Sequence, residues 1–176
     1  RVRLPLGFIF SVWSAASDVF KRQGCLCGEV RFEVSCQPEF SAVCHCRYCQ
    51  LRSGSALGVS VFFQKQNLRI TQGTLKSYKF KTESGKEMDY QSCATCSTTL
   101  LWDIELFPDL IGTAVGGSEA AKVWYRRDRE GFQRSKANFV NIESPQSYST
   151  SRLYVPLHTD EPPQMGERKK KSQPRY

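Results

Sequence analysis

Three cysteines lie close together in the stretch Cys44–Cys49, whose sequence is CHCRYC. Thiolates are soft, anionic ligands, and zinc is the metal that clustered cysteines most often bind. The Cys-x-Cys and Cys-x-x-Cys spacings bring three sulfurs close enough to share one ion if the backbone turns. A structural zinc site takes four protein ligands and a catalytic site takes three, so this trio predicts an open site. Cys44, Cys46 and Cys49 are called the open site below.

Two further cysteine pairs flank this stretch, Cys25 and Cys27 upstream and Cys93 and Cys96 downstream. Neither pair fills a zinc shell alone, but together they supply four thiolates. We therefore predict a second zinc ion, held by these four residues at what is called the closed site. It would join two distant segments, so its metal binding would also be folding free energy. Disulfides or buried free thiols are the alternative, although spacings of one and two residues favour a metal.

Other polar residues near the open site have more than one interpretation. Cys36 has no spaced partner and is predicted to be a packed side chain. In an extended segment His45 points away from its cysteine neighbours, which favours packing or hydrogen bonding over a ligand or proton-shuttle role. Arg47 and Arg52 flank the thiols; they are either ordinary surface charges or cations that lower thiol pKa values and favour an anionic substrate.

The elements that must position these residues have the pattern of strands. Polar and apolar residues alternate over Glu29–Val34, and Ser55–Phe63 is rich in Val and Phe. Further strands are predicted at Leu68–Thr71, Leu75–Phe80, Met88–Ser92, Thr98–Ile104, within Leu106–Val115, and at Lys122–Tyr125. Arg126–Glu130 is predicted to be a charged loop. Short strands at regular spacing with few helical patterns indicate a mostly β fold.

Length and charge limit the domain count and the partners. A chain of 176 residues favours one domain, and its net charge is +8. Much of the excess lies in the tail, at Arg168–Lys171 and Arg175. Such charge suits nucleic acid, an acidic membrane face or an acidic small molecule, although a solvated tail is the simpler interpretation. There is no apolar run long enough to span a bilayer.

The two ends of the chain differ from the part between them. Basic, then apolar, then small residues in 1–17 outline a secretory signal peptide; an apolar helix at Ser11–Phe20 is the alternative. Secretion would expose zinc thiolates to an oxidising compartment, so we expect a cytoplasmic location. The predicted domains are an apolar extension at 1–21, a zinc domain at 22–143 and a partly disordered basic tail at 144–176.

Several motifs in order resemble one known family. They are Gly24–Val34 (GCLCGEVRFEV), Cys44–Cys49 (CHCRYC), Ser53-Gly54, Gly73–Tyr78 (GTLKSY) and Cys93–Cys96 (CATC). Together they resemble the glutathione-dependent formaldehyde-activating enzyme family, also called the centromere protein V family. The family usually has Gly after the last cysteine of this series, where this chain has Ser97.

The resemblance implies a fold and an activity. The expected fold is mostly β, a Mss4-like β-tent of two packed antiparallel sheets stapled by zinc, with two zinc ions per chain. The expected activity is that of a carbon–sulfur lyase acting on glutathione or a related thiol adduct at the open site. Arg47, Arg52 and Ser53 are then the nearest candidates to hold substrate carboxylates. No catalytic residue beyond the open site is assigned.

Two other functions remain open from the sequence. The centromere protein V branch is associated with chromatin and the cytoskeleton, and the basic tail suits such an anionic partner. A purely structural zinc protein with a vestigial open site is the third interpretation.

Overall fold

The structure is a computed structural model that describes residues 21–118, 127–151 and 153–155. Three predictions lie outside these residues: the apolar extension up to residue 20, the strand at Lys122–Tyr125 and the basic tail beyond residue 155.

The described residues form eleven strands, one α-helix and three short 3-10 helices. The strands are β1 (Lys21–Gly24), β2 (Arg31–Val34), β3 (Phe40–Cys44), β4 (Gly58–Gln64), β5 (Leu68–Gln72), β6 (Leu75–Lys81), β7 (Glu87–Cys93), β8 (Thr99–Ile104), β9 (Leu110–Ala114), β10 (Arg129–Gly131) and β11 (Gln146–Ser147). Helix α1 spans Arg47–Ser53, and the 3-10 helices span Lys65–Asn67, Val115–Gly117 and Gln133–Ser135.

These strands form two sheets. The small sheet has the order β1-β2-β5, and the large sheet has the order β11-β10-β3-β4-β9-β8-β7-β6. The prediction of a mostly β fold with two sheets, as in a β-tent, is confirmed. The antiparallel part of that prediction needs one correction, because β10 pairs in parallel with both β3 and β11. Strands β9 and β10 are not neighbours in the sheet, so they do not form a hairpin.

The core lies between the two sheets and follows from the alternation of side chains along the strands. Phe32 and Val34 of the small sheet are buried, as are Val61 and Phe63 of β4. Leu101 and Ile111 complete this layer with Val30 and Leu100. Each such side chain stabilises the fold by about 1.5–3 kcal/mol when it leaves water.

The opposite face of the large sheet forms the floor of the functional region. Trp102 is buried there, and its register partner on β9 is Gly112. A Cβ atom at Gly112 would collide with the indole ring, so only glycine lets Trp102 lie flat across the neighbouring strand. Helix α1 packs on this same face through β4.

Most predicted strands are present, and one prediction was wrong. Arg126–Glu130 was expected to be a charged loop, but Arg129–Gly131 is strand β10 and Glu130 is buried. Strand β11 pairs with β10, so packed chain continues beyond residue 143, where the sequence placed the end of the zinc domain. None of the helices in the described residues is long and apolar enough to cross a membrane.

Candidate metal centres and the adjoining cavities

The closed site is assembled from two hairpin turns on different sheets. Cys25 and Cys27 follow β1 of the small sheet. Cys93 is the last residue of β7 in the large sheet, and Cys96 lies in the turn after it. All four sulfur atoms lie within 4.8 Å of one another, with 3.5 Å between Cys25 and Cys27 and 3.8 Å between Cys27 and Cys93. A tetrahedral zinc with four thiolates places its sulfurs about 3.8 Å apart. The four residues therefore fit a zinc ion that joins the sheets.

Backbone and hydroxyl groups already point at these sulfurs. The N–H of Val30 donates to Cys25 Sγ at 3.2 Å, and the N–H of Cys96 lies 3.5 Å from Cys93 Sγ. The Thr98 hydroxyl lies 3.1 Å from Cys96 Sγ and lowers the pKa of that thiol to about 5. These donors favour the thiolate form that a metal requires.

Ser97 occupies the backbone position that closes the downstream turn. Its φ is +59°, in the left-handed region, and its N–H donates to the carbonyl of Cys93 at 3.0 Å. A residue other than glycine is strained there by roughly 1–2 kcal/mol. The conformation explains why glycine suits this position and shows that Ser97 keeps the same turn.

The open site lies where β3 passes into α1. Cys44 ends the strand, Cys46 is the N-cap residue of the helix and Cys49 lies in its first turn. Their sulfur atoms also lie within 4.8 Å of one another. No fourth His, Cys, Asp or Glu from the described parts of the chain joins this group. The three thiols fit a zinc ion with three protein ligands, as the sequence predicted.

The protons of the open site are not shared equally. Hydrogen bonds from the thiols of Cys44 and Cys46, followed by the nearby Arg52 guanidinium, hold the pKa of Cys49 well below its usual value despite burial. The pKa values of Cys44 and Cys46 are raised. Cys49 is therefore the first of the three to be a thiolate.

His45 turns away from the sulfurs into a buried polar network, as predicted. Its Nε2 donates to Glu130 Oε1 at 2.9 Å, and both side chains are fully buried. Lys136 Nζ lies 2.8 Å from the same carboxylate oxygen, and Gln133 Nε2 donates to the other at 2.9 Å. Burial raises the pKa of Glu130, but the hydrogen bonds from Lys136, His45 and Gln133 outweigh it and hold the pKa at about 2. The network fixes the backbone between two of the three thiols.

Arg52 lies over the ring of Trp102, beside Cys49. Its guanidinium carbon is 3.6 Å from the centre of the Trp102 ring, and one of its nitrogens is 3.5 Å from Ser60 Oγ. Gly58 makes this approach possible, because a Cβ there would collide with Cys49 and Arg52. The sequence marked Arg52 as a substrate candidate, and the structure places it at the open site.

Two adjoining cavities meet at the open site. The small cavity, about 170 Å³, is lined by all three thiols and by polar residues that include Arg47, Thr82, Ser84 and Lys86. The large cavity, about 320 Å³, is lined by Cys44 and Cys49 and extends over the aromatic floor. Volumes of this size are at or below the lower end of the range for small-molecule sites.

The other two substrate candidates have different positions. Arg47 lines the small cavity and is exposed. Ser53 is not among the described residues that line either cavity. Its hydroxyl lies 2.9 Å from the carbonyl of Cys49 and 2.7 Å from that of Leu57. These contacts close the end of α1.

Sequence reasoning missed four residues of the site, one of which is Trp102 on its floor. Tyr90 lines both cavities, and its buried hydroxyl has no hydrogen-bond partner among the described residues. Phe132 also lines both cavities, with a left-handed φ of +57° and an edge-on contact to Tyr154. Glu130 belongs to the charged stretch Arg126–Glu130, which was predicted to be a loop. A bulky residue in left-handed backbone is strained, and such strain concentrates at functional sites.

Two sheets with two cysteine clusters define this chain as a mostly β protein equipped to bind metal through thiolates. The sequence profile of the glutathione-dependent formaldehyde-activating enzyme family matches residues 21–135, more than half of the chain. The chain belongs to this family.

No curated protein matched the chain. Among solved structures, a Rhodobacter sphaeroides protein is 24% identical, with a TM-score of 0.48 over 57% of this chain and 90% of that one.

Proposed function

We propose that this protein is a zinc-dependent carbon–sulfur lyase that acts on glutathione or a related thiol and its adduct with an aldehyde. The observation that carries the proposal is the position of the open site, whose three thiols line the small cavity while two of them also line the large one. Three thiolates leave one ligand position toward which a substrate can approach. Thiolate ligands require reduced cysteines, which a cytoplasmic location would maintain.

The reaction joins a thiol and an aldehyde, and its reverse is the lyase step. In the forward direction the S–C bond forms, the carbonyl π bond breaks, and the thiol proton ends on the former carbonyl oxygen. No oxidant or reductant is required. Cys44, Cys46 and Cys49 would hold a zinc ion, which would supply the Lewis acidity to stabilise a thiolate or polarise a carbonyl.

Arg52 tunes the charge of the open site. Three thiolates around a divalent ion leave a net negative centre, which weakens its attraction for electron pairs. The guanidinium beside Cys49 offsets part of that charge, and its stacking on Trp102 holds it in place. Arg47, at the small cavity, supplies further positive charge for a carboxylate of a thiol such as glutathione.

Tyr90 is the group best placed to handle the substrate oxygen. Its hydroxyl is buried without a hydrogen-bond partner among the described residues, and the charges of the open site act on its pKa. Burial, followed by the Cys49 charge, raises its pKa, so the phenol keeps its proton. It can therefore donate a hydrogen bond to the oxygen on which negative charge develops.

The proposal is tested by the rate at which the zinc-loaded protein exchanges ¹³C-formaldehyde with its glutathione adduct, followed by NMR. We expect exchange well above the uncatalysed rate, lost in Cys46→Ser and lowered about 100-fold in Tyr90→Phe. Cys36→Ser removes a thiol outside both sites and is the matched control. Exchange no faster than in protein-free buffer containing zinc would overturn the proposal.

A further inference from the structure

The large cavity extends from the open site over the aromatic floor of the large sheet. Its walls and floor are mainly rings and aliphatic side chains; the aromatic ones are Phe40, Phe62, Tyr90, Trp102, Phe107, Phe132 and Tyr148. An apolar ligand group would therefore gain more from the large cavity than a peptide would.

Two arginines line the large cavity, and the guanidinium of each lies over an aromatic ring. Arg52 stacks on Trp102, and the guanidinium carbon of Arg129 lies 4.3 Å from the centre of the Phe40 ring. Within residues 21–118, 127–151 and 153–155, no carboxylate forms an ion pair with either of them. A stacked guanidinium keeps its N–H edge available, and that edge matches a carboxylate.

Glutathione is a poor match for this combination. It has two peptide amides and an ammonium group, and a polar group buried without a partner costs about 1–3 kcal/mol. The rings that line the large cavity offer few acceptors or donors for them. A ligand with one carboxylate and an apolar body would satisfy the arginines and fill the aromatic space.

We propose that the preferred substrate thiol, free or as its aldehyde adduct, carries an aromatic or branched apolar body and a carboxylate. Its sulfur lies at the open site, its body lies in the large cavity and its carboxylate pairs with Arg129. This inference rests on the proposed function, because it assigns the substrate class of the same site.

The test compares three thiols on the cobalt-substituted protein, followed by the sulfur-to-cobalt absorption band and by calorimetry. They are 2-sulfanyl-3-phenylpropanoate, 2-phenylethanethiol, which lacks the carboxylate, and glutathione. We expect the first to bind at least 10-fold more tightly than either of the others.

Variants locate the carboxylate. Arg129→Met should remove most of the preference for 2-sulfanyl-3-phenylpropanoate over 2-phenylethanethiol, and Lys76→Met, which removes an exposed cation on β6, should leave it unchanged. Leu153→Glu provides a second variant at an exposed position, and its new charge should weaken the carboxylate thiol alone.

The outcomes separate this inference from the proposed function. Tighter or equal binding of glutathione, or an unchanged preference in both Arg129→Met and Leu153→Glu, would overturn the substrate class while the lyase proposal stands. If all three thiols leave the cobalt spectrum unchanged, both proposals fail.

Discussion

The closed and open sites use the same ligand type for different ends. The closed site takes two cysteines from each of two turns on different sheets, and its sulfurs adjoin the core between them. The open site takes three cysteines from one strand–helix junction and adjoins two cavities. A metal at the first would hold sheets together, whereas a metal at the second would have room for a ligand. The number of chain segments that a site joins therefore separates a stabilising role from a chemical one.

The largest expected effect is a difference in protein stability between cysteine substitutions at the closed site and at the open site. Cys93→Ser should lower the free energy of unfolding by on the order of 5 kcal/mol, because it removes a ligand that joins the two sheets. Cys46→Ser should cost far less, since its neighbours belong to one local segment. Thermal and denaturant unfolding with zinc present measures both.

Cys36→Ser is the control for losing a thiol. Cys36 is only half-buried and accepts a hydrogen bond from Asn67 at 3.2 Å, which a serine hydroxyl can replace. Its effect should stay within about 1 kcal/mol. Equal losses in Cys93→Ser and Cys46→Ser would contradict the division of roles.

The second effect concerns the buried network of His45, Glu130 and Lys136 that adjoins the open site. Glu130→Gln removes a buried charge that pairs with Lys136 and orients His45 between two of the thiols. We expect a loss of about 3 kcal/mol in stability and about 10–100-fold weaker metal binding at the open site alone. Competition with a metal chelator measures the second quantity, and weakening at both sites would count against a local role.

Acid should erase the stability difference between Glu130→Gln and the wild type. The pKa of Glu130 is about 2 in the folded protein, below its usual value near 4.5. A lowered pKa gives stability that is present above the unfolded value and is lost as the pH falls toward the folded one. The difference between the two proteins should therefore shrink between about pH 4.5 and pH 2, as measured by denaturant unfolding of chelator-treated, reduced protein. A constant difference would show that the carboxylate charge is not its cause.

The smallest effect is a stabilisation at the closed site. Ser97 has left-handed backbone, so Ser97→Gly should raise the free energy of unfolding by about 1 kcal/mol. At the open site, helix α1 ends at Gly54, whose φ is +63°. Gly54→Ser should accordingly destabilise by a similar amount, and the pair tests the backbone argument in both directions.

The sequence predicted the features that depend on local spacing. The seven cysteines fell into two groups, His45 turned inward because side chains alternate along an extended chain, and most strands followed the period of two. These features depend on short distances along the chain.

The features that were missed depend on residues far apart in sequence. Glu130 reaches His45 across 85 positions, and only the parallel pairing of β10 with β3 brings them together. Tyr90 on β7 and Trp102 on β8 are register partners, so both side chains lie on the sheet face that adjoins the open site. Ser53 was predicted as a substrate residue, and its hydroxyl donates to backbone carbonyls at the end of its own helix. No short sequence motif predicts a parallel strand pairing or the residues that form the floor of a cavity.

The most direct test of the two-site account is zinc content measured together with X-ray absorption at the zinc edge. Four sulfurs at the closed site and three at the open site predict two zinc ions per chain with an average of about 3.5 sulfurs each. Adding a substrate thiol should raise that average toward 4. One zinc per chain, or an average that no thiol changes, would contradict the account.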